Sequence, residues 1–193
     1  MASEYPAAQI LENRLMNDQL EKNVEQFLKL IGYKDLHPGI KDTPKRVAKA
    51  WKELICRPEF SCTTFDSNGY DQMIVERNVK YYTFCEHHLL PFFGEVCIGY
   101  IPSGKIIGLS KLPRTVDYFS KRLNTQEYFT DNIADFLQDL LNPQGLGVVV
   151  RGRHLCQEMR GIQKRGEMIT SSLKGIFKDD LNVKKEFLDL CQK

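Results

Sequence analysis

Two short runs of thiol and imidazole side chains stand out in the sequence. The first covers residues 85–88, Cys-Glu-His-His, and the second covers residues 154–156, His-Leu-Cys. Cys85 and His88 have the C-x-x-H spacing that lets one turn offer two ligands to a tetrahedral ion, and Cys156 can supply a third. The runs together predict a zinc site with three protein ligands, which leaves one position for water, as catalytic zinc sites do.

A closed structural zinc site built on the same pair of ligands is the alternative interpretation. Two further histidines, His87 and His154, exceed what a three-ligand site requires. Because an imidazole titrates near neutral pH, both are candidates for proton transfer beside the metal. These extra histidines favour the catalytic interpretation.

A second group of candidate residues lies at the predicted start of a helix. Ser110, Lys111 and Arg114 surround Pro113, and the apolar residues that follow recur at helical spacing. Exposed backbone N–H groups and the helix dipole favour anions at such a terminus, so a phosphate site is one hypothesis. The alternative is that Lys111 and Arg114 are ordinary surface charges.

Two other charged residues have plain structural interpretations. Arg46 lies in the first turn of a predicted helix that Thr43 and Pro44 begin, and local sequence favours a solvated charge there. Glu127 would occupy the third position of a predicted helix capped by Asn124, where it could simply complete a capping box.

Strands and helices must bring these residues together. Strands are predicted over residues 73–85, 92–101, 105–109, 147–156 and 168–173, with a hairpin turn at 102–104. Helices are predicted over residues 17–31, 44–55, 113–123 and 125–140, with a short one near 187–191. The order of the central elements, β-β-α-α-β-β, indicates an α+β fold in which two helices pack on one face of an antiparallel sheet.

Composition excludes several classes of function. The chain has 193 residues with 42% hydrophobic content, enough for one domain with a helical extension. Lys and Arg number 27 against 25 Asp and Glu, which argues against a dedicated nucleic-acid binder or a polybasic membrane protein. No apolar segment approaches the roughly 20 residues that cross a bilayer. The expected partner is therefore a small molecule.

The six cysteines bear on the expected compartment. They could pair as disulfides in a secreted protein, but the first residues lack a basic region followed by an apolar run. We therefore expect reduced cysteines and a cytoplasmic protein.

Taken together, these motifs resemble the GTP cyclohydrolase I family. The resemblance runs from about Leu20 to the end of the chain and is densest over residues 85–88, 108–114, 126–127, 154–156 and 159–161. It implies the tunnelling fold, in which small subunits join their sheets into a pentameric barrel and two rings stack into a homodecamer. It also implies an N-terminal tail and helical extension over residues 1–56 and a catalytic domain over residues 57–193.

The resemblance implies a role for each candidate residue. Cys85, His88 and Cys156 match the family's zinc ligands, in agreement with the site inferred from spacing. His87 matches an acid–base histidine, and His154 matches a second active-site histidine near the metal.

The implied substrate is GTP. The family's contacts to triphosphate and ribose are matched by Ser110, Lys111, Arg114 and Arg160. Arg46 matches an arginine that reaches the triphosphate from a neighbouring subunit, which replaces its plain interpretation. Glu127, with Gln126 beside it, matches the residue that binds guanine, and a carboxylate can accept two N–H bonds from a guanine edge.

The implied reaction is zinc-dependent hydrolysis and rearrangement of GTP to 7,8-dihydroneopterin triphosphate with release of formate. This is the first step of tetrahydrofolate and pterin biosynthesis. Water whose pKa zinc lowers from 15.7 to about 7 would attack carbon 8 of guanine. His87 would protonate the adjacent ring nitrogen, and Ser110 is a candidate proton relay in the later rearrangement.

The sequence departs from its relatives at two places. Gln157 and Glu158 follow Cys156 where relatives more often carry apolar residues, which brings a carboxylate near the metal loop. The segment 165–168 is slightly shorter than its usual counterpart, a difference that surface loops tolerate.

Three alternatives remain open at the level of sequence. A nitrile reductase of the same fold would need a cysteine nucleophile and NADPH, which the Cys85, His88 and Cys156 set argues against. A paralogue could open the guanine ring and stop at a formamidopyrimidine. A zinc-stabilised assembly module would have no catalytic activity.

Overall fold

The computed structural model describes residues 14–33, 37–57 and 59–192. The chain divides into two units, Met1–Arg57 and Pro58–Lys193. In the first unit, helices α1 (Arg14–Leu30) and α2 (Thr43–Ile55) pack against each other, and Pro44 lies within the first turn of α2. Most of the expected N-terminal tail, about the first fifteen residues, lies outside the described residues, which begin at Arg14.

A five-stranded sheet forms the frame of the second unit. Its strands and the two strands of a separate small sheet are β1 (Thr64–Asp66), β2 (Ile74–Cys85), β3 (Pro91–Ile101), β4 (Lys105–Ile107), β5 (Leu123–Asn124), β6 (Gly145–His154) and β7 (Met168–Gly175). The strand order in the main sheet is β5-β2-β3-β6-β7. The pairs β2–β3, β3–β6 and β6–β7 are antiparallel, whereas the two-residue β5 joins the edge of β2 in parallel.

Helices cover both faces of this sheet. α3 (Lys111–Ser120) and α4 (Gln126–Leu141) pack on one face, over the inward side chains of β3 and β6 such as Ile98 and Val148. Side chains alternate along a strand, so Cys97 and Val149 face the other way. They meet Phe177 of α6 (Ile176–Asp179) and Phe187 of α7 (Leu181–Gln192). The remaining helix, α5 (Leu155–Glu158), follows β6 directly.

The structure corrects the expected fold in two respects. The expected antiparallel sheet is mixed, because Leu123 leaves the predicted helix and pairs with Phe84 of β2. The expectation of helices on one face holds for α3 and α4 but omits α6 and α7 on the other. The resulting curled sheet with several helices is consistent with the tunnelling fold.

The predicted hairpin between residues 92–101 and 105–109 is wrong. β3 is already paired on both edges, with β2 and β6, so no edge is free for β4. β4 instead pairs antiparallel with β1, which lies in a segment predicted to be a loop. The hydroxyl of Tyr100 accepts a hydrogen bond from the backbone N–H of Ile107, which ties β4 back to β3 without strand pairing.

The expectation of reduced cysteines is wrong for one pair. Cys97 of β3 and Cys191 of α7 form a disulfide in the second core cluster, 94 residues apart in sequence. Cys56, Cys62, Cys85 and Cys156 are free thiols. Among the described helices, none has the length and apolarity needed to span a membrane.

Candidate active site

The first candidate metal-binding run forms a tight turn at the end of β2. The N–H of Leu89 donates to the carbonyl of Cys85 (2.9 Å), and the N–H of Cys85 donates to the carbonyl of Leu90 (2.9 Å). Leu89 closes the turn in the left-handed region with φ of 55°, a strained conformation for a non-glycine residue and one that clusters at functional sites. The turn places Nδ1 of His88 3.5 Å from Sγ of Cys85.

The second run supplies the third candidate ligand. β3 pairs with β6 so that Phe92 lies opposite His154, and α5 then turns Cys156 toward the first run. The ligand atoms of Cys85, His88 and Cys156 all lie within 4.8 Å of one another. Burial and the neighbouring Cys85 thiol raise the pKa of Cys156, while Arg160 lowers it. A bound cation would stabilise both thiolates and so oppose the rise in the pKa of Cys156.

His87 lies beside this group without joining it. Its Nδ1 is 3.7 Å from Sγ of Cys85, and its Nε2 is 3.7 Å from the carboxylate of Glu86. The side chain is 63% exposed. It can therefore exchange protons with solvent from a position next to the candidate metal ligands.

His154 is held more firmly. Its ring stacks on that of Phe92, with centroids 4.4 Å apart and planes 6° from parallel, and its Nε2 lies 2.9 Å from Oε1 of Gln126. Burial lowers the pKa of His154, and the negative charge of Glu127 opposes that shift. The balance favours the neutral imidazole, the form that can accept a proton.

Gln126 is buried, although the family resemblance places it beside the residue that binds guanine. Its side chain is 1% exposed. Its Nε2 donates to the carbonyls of Val150 (3.2 Å) and Met168 (2.9 Å) and to Oγ1 of Thr170 (3.2 Å). Protein groups thus engage the amide hydrogens, and a contact between Gln126 and the substrate stays a prediction.

The interpretation of Glu127 as part of a capping box is wrong. Asn124 does not cap α4, because its buried amide donates to Oγ1 of Thr83 (2.8 Å) and to the carbonyl of Phe119 (3.0 Å). Thr125 is the cap, and its hydroxyl accepts from the N–H of Tyr128 (3.2 Å). Glu127 is then the second helical residue and cannot complete a capping box, so its exposed carboxylate is open to a ligand.

Ser110, Lys111 and Arg114 cluster at the start of α3, as predicted. The helix begins at Lys111, two residues earlier than expected, because Pro113 fits in a first turn that needs no intrahelical N–H partner. The side chains of Ser110 and Arg114 are exposed, and Ser110 makes no side-chain cap bond. Arg160 is also exposed and lies close enough to lower the pKa of Cys156.

Arg46 belongs to the first unit. There it forms an exposed ion pair with Asp42, with 3.8 Å between the guanidinium and the carboxylate. The structure shows the contact of Arg46 within the first unit. Its role at the candidate site stays a prediction.

Two features of the site were not predicted from sequence. The stacking of Phe92 on His154 depends on the register between β3 and β6, which the sequence does not reveal. The carboxylate of Glu158 is engaged by another side chain. It accepts two hydrogen bonds from Arg153, at 2.9 and 2.7 Å, and this ion pair braces the short helix that carries Cys156.

Comparison with known proteins identifies one family. The family model described as GTP cyclohydrolase I matches residues 20–192. GTP cyclohydrolase 1 of Aquifex aeolicus (strain VF5) is 45% identical over 177 residues, which cover 91% of this chain and 96% of that protein. GTP cyclohydrolase 1 of Wolinella succinogenes is 42% identical over 175 residues, which cover 88% of this chain and 94% of that protein.

Two further similarities complete the comparison. The bifunctional protein FolKE of Lactococcus lactis subsp. lactis is 40% identical over 195 residues, which cover 97% of this chain and 56% of that protein. The crystal structure of the archaeosine synthase QueF-Like in the apo form has a TM-score of 0.40 and 18% identity, covering 52% of this chain and 92% of that one. That structural likeness is too weak to bear on the fold. The match over residues 20–192 and the identity to full-length relatives place this chain in the GTP cyclohydrolase I family.

Proposed function

We propose that this protein converts GTP to 7,8-dihydroneopterin triphosphate and formate at a zinc site formed by Cys85, His88 and Cys156. One observation carries the proposal: a chain of this family brings those three ligand atoms within 4.8 Å of one another. The reaction would be the first step of tetrahydrofolate and pterin biosynthesis.

The donor set fits zinc. With Zn–S near 2.3 Å and Zn–N near 2.0–2.1 Å, the edges of a tetrahedral site are about 3.5–3.8 Å long. Sγ of Cys85 and Nδ1 of His88 are 3.5 Å apart, one such edge. When bound, zinc would supply a Lewis acid that lowers the pKa of water from 15.7 to about 7.

His87 and His154 would carry out different proton transfers. His87 is exposed beside Cys85, so it can deliver a proton to a guanine ring nitrogen and recover one from solvent. His154 is half-buried and kept neutral, so it suits the role of proton acceptor. The charge of Glu127 reaches His154, so this carboxylate lies near enough to the candidate ligands to bind the guanine edge as the family resemblance implies.

The charged groups around α3 and α5 would hold the triphosphate. Ser110, Lys111 and Arg114 offer a hydroxyl and two cations at a helix N-terminus, where backbone N–H groups also favour anions. Arg160 extends the positive charge toward the metal ligands, and Arg46 would arrive from a neighbouring subunit. Binding energy remote from the reacting atoms would then orient the guanine.

We propose a homodecamer of two stacked pentameric barrels. The main sheet is open, because within the described residues β5 pairs only with β2 and β7 only with β6, so each leaves one edge for another subunit. Met159 and Ile162, close to the metal ligands in sequence, are 60% and 69% exposed. Apolar side chains at that exposure support a covering partner. Residues 57–193 would be the catalytic domain, residues 1–56 the tail and extension, and the enzyme would be cytoplasmic.

The decisive experiment is incubation of zinc-loaded protein with GTP. We expect formate and an oxidisable, fluorescent pterin in equal amounts, both abolished by a chelator and restored by zinc. Formate without pterin would identify a ring-opening paralogue. Neither product from a zinc-replete oligomer would favour the assembly module.

Substitution of His87 distinguishes the proposed enzyme from a non-catalytic assembly module. His87→Ala should lower turnover about 100- to 10,000-fold, the usual contribution of acid–base catalysis, while zinc content and fold are retained. His37→Ala is the matched control, because His37 is an exposed histidine of the first unit. Full turnover in His87→Ala would remove His87 from the mechanism.

A further inference from the structure

The orientation of the Gln126 carboxamide follows from its partners. Two of the three atoms that face its Nε2 are the backbone carbonyls of Val150 and Met168, and a carbonyl oxygen can only accept a hydrogen bond. The NH₂ group must therefore face them. The amide oxygen then faces His154, 2.9 Å from its Nε2.

The third partner agrees with this orientation. Oγ1 of Thr130 donates to the backbone carbonyl of Gln126 (2.7 Å), so its single proton is committed. The contact of 2.6 Å between the hydroxyls of Thr130 and Thr170 must then use the proton of Thr170. With its proton engaged, the Thr170 hydroxyl can only accept from Gln126, which again requires the NH₂ group on that side.

A fixed amide oxygen fixes the tautomer of His154. An oxygen facing Nε2 at 2.9 Å requires a proton on Nε2, so the neutral ring carries its lone pair on Nδ1. We propose that Gln126 is a positioning residue that holds the His154 ring in the Nε2–H tautomer, with the lone pair of its Nδ1 left free. The proposal rests on the placement of His154 in the active site proposed above.

The surrounding residues show that this arrangement is built into the fold. A Cβ at Gly152 would lie 2.3 Å from Oε1 of Gln126, so the glycine leaves the space that the amide oxygen occupies. Phe92 fixes the plane of the His154 ring from its face, while Gln126 fixes one edge. A buried network in which each donor group faces acceptors and the amide oxygen faces a donor has little freedom to rearrange.

Ring ¹⁵N NMR of the zinc-loaded protein tests the tautomer directly. The chain has four histidines, so selective ¹⁵N-histidine labelling gives few signals, and the His154→Asn spectrum identifies those of His154. We expect a protonated Nε2 and an unprotonated Nδ1 in the wild type. A wild-type protein with the proton on Nδ1 would overturn the proposal, whatever the variants do.

Gln126→Met tests the cause, because it keeps the length of the side chain and removes the acceptor. We expect a mixture of tautomers in Gln126→Met and the wild-type tautomer in Thr170→Val. The second variant is matched, since it removes a partner of the same buried amide and leaves the contact between Gln126 and His154 in place. An unchanged tautomer in folded Gln126→Met would contradict the proposal.

Kinetics separate positioning from direct substrate contact. Gln126→Met should lower kcat about 10- to 100-fold while KM for GTP changes less than about threefold, because the variant loses the orientation of an active-site histidine and no contact with the substrate. A raised KM with unchanged kcat would instead make Gln126 a substrate contact. The NMR measurement needs no substrate, so the tautomer can hold while GTP conversion fails, or the reverse, and the two hypotheses are tested independently.

Discussion

Gly152 contributes to the site by lacking a side chain. It lies on β6 two residues before His154, and a Cβ there would come within 2.3 Å of Oε1 of Gln126 and 2.6 Å of the hydroxyl of Tyr81. Both atoms belong to buried side chains, so neither can move freely into solvent. One methyl group at this position would therefore act on His154 through its neighbours.

We predict that Gly152→Ala destabilises the protein by about 1–3 kcal/mol, the usual cost of one extra group in a packed interior. Urea unfolding at fixed protein concentration measures this change, and kcat for GTP should fall in the folded variant. Gly166→Ala is the control, because the nearest atom to its Cβ is the end of the flexible Gln157 side chain at 3.3 Å. Equal stability of both variants would show that the space at Gly152 is not restrictive.

The short helix α5 depends on an ion pair for its placement. Arg153 on β6 holds Glu158 at the end of the helix through two hydrogen bonds, and the guanidinium also stands 5.5 Å from the centre of the Phe93 ring. Cys156 lies between Arg153 and Glu158 in the sequence. The hydrogen bonds to Arg153 lower the pKa of Glu158, so the carboxylate is charged at neutral pH. The stability that this ion pair contributes is lost only as the pH falls through the lowered pKa.

Loss of this brace should weaken metal binding. We predict that Glu158→Gln raises the zinc dissociation constant roughly tenfold at neutral pH, at the lower end of the effect of residues that orient metal ligands. Competition with a chelating dye measures the constant. Gln157→Ala, on the exposed neighbour, should leave it unchanged. If both variants bound zinc as the wild type does, the ion pair would have no role in the site.

Local sequence patterns predicted the elements that carry the site, and long-range pairing decided the rest. The turn at Cys85 and a helix near Pro113, which begins two residues earlier at Lys111, follow from residue spacing and terminal signals, which are local. The parallel pairing of β5 with β2 joins residues about 40 positions apart and has no local signature. That pairing buries Asn124 and gives the cap of α4 to Thr125, which is why the expected capping box of Glu127 was wrong.

At the scale of the whole molecule, the proposed oligomer makes the site a shared one. Arg46 is expected to act on the triphosphate bound by another subunit, whereas His87 acts beside its own metal ligands. Two variants defective at these positions should therefore complement each other. A mixed assembly would contain some sites with an intact Arg46 and an intact His87.

We predict that mixed oligomers of Arg46→Ala and His87→Ala regain part of the activity that each variant lacks alone. Native mass spectrometry verifies both mixing and the proposed mass of ten subunits. Lys49→Ala, on the same exposed helix, is the control and should need no complementation. Failure to regain activity in verified mixed oligomers would contradict a site shared between subunits.

The glycine at position 152 also has an evolutionary consequence. Any larger residue there competes with the Gln126 carboxamide for the same volume. Among related enzymes, positions 126 and 152 should therefore vary together: a lineage that replaces the glutamine gains freedom at the glycine, and one that retains it does not. Ancestral substitutions in that family should follow the same order, with the glutamine changing first.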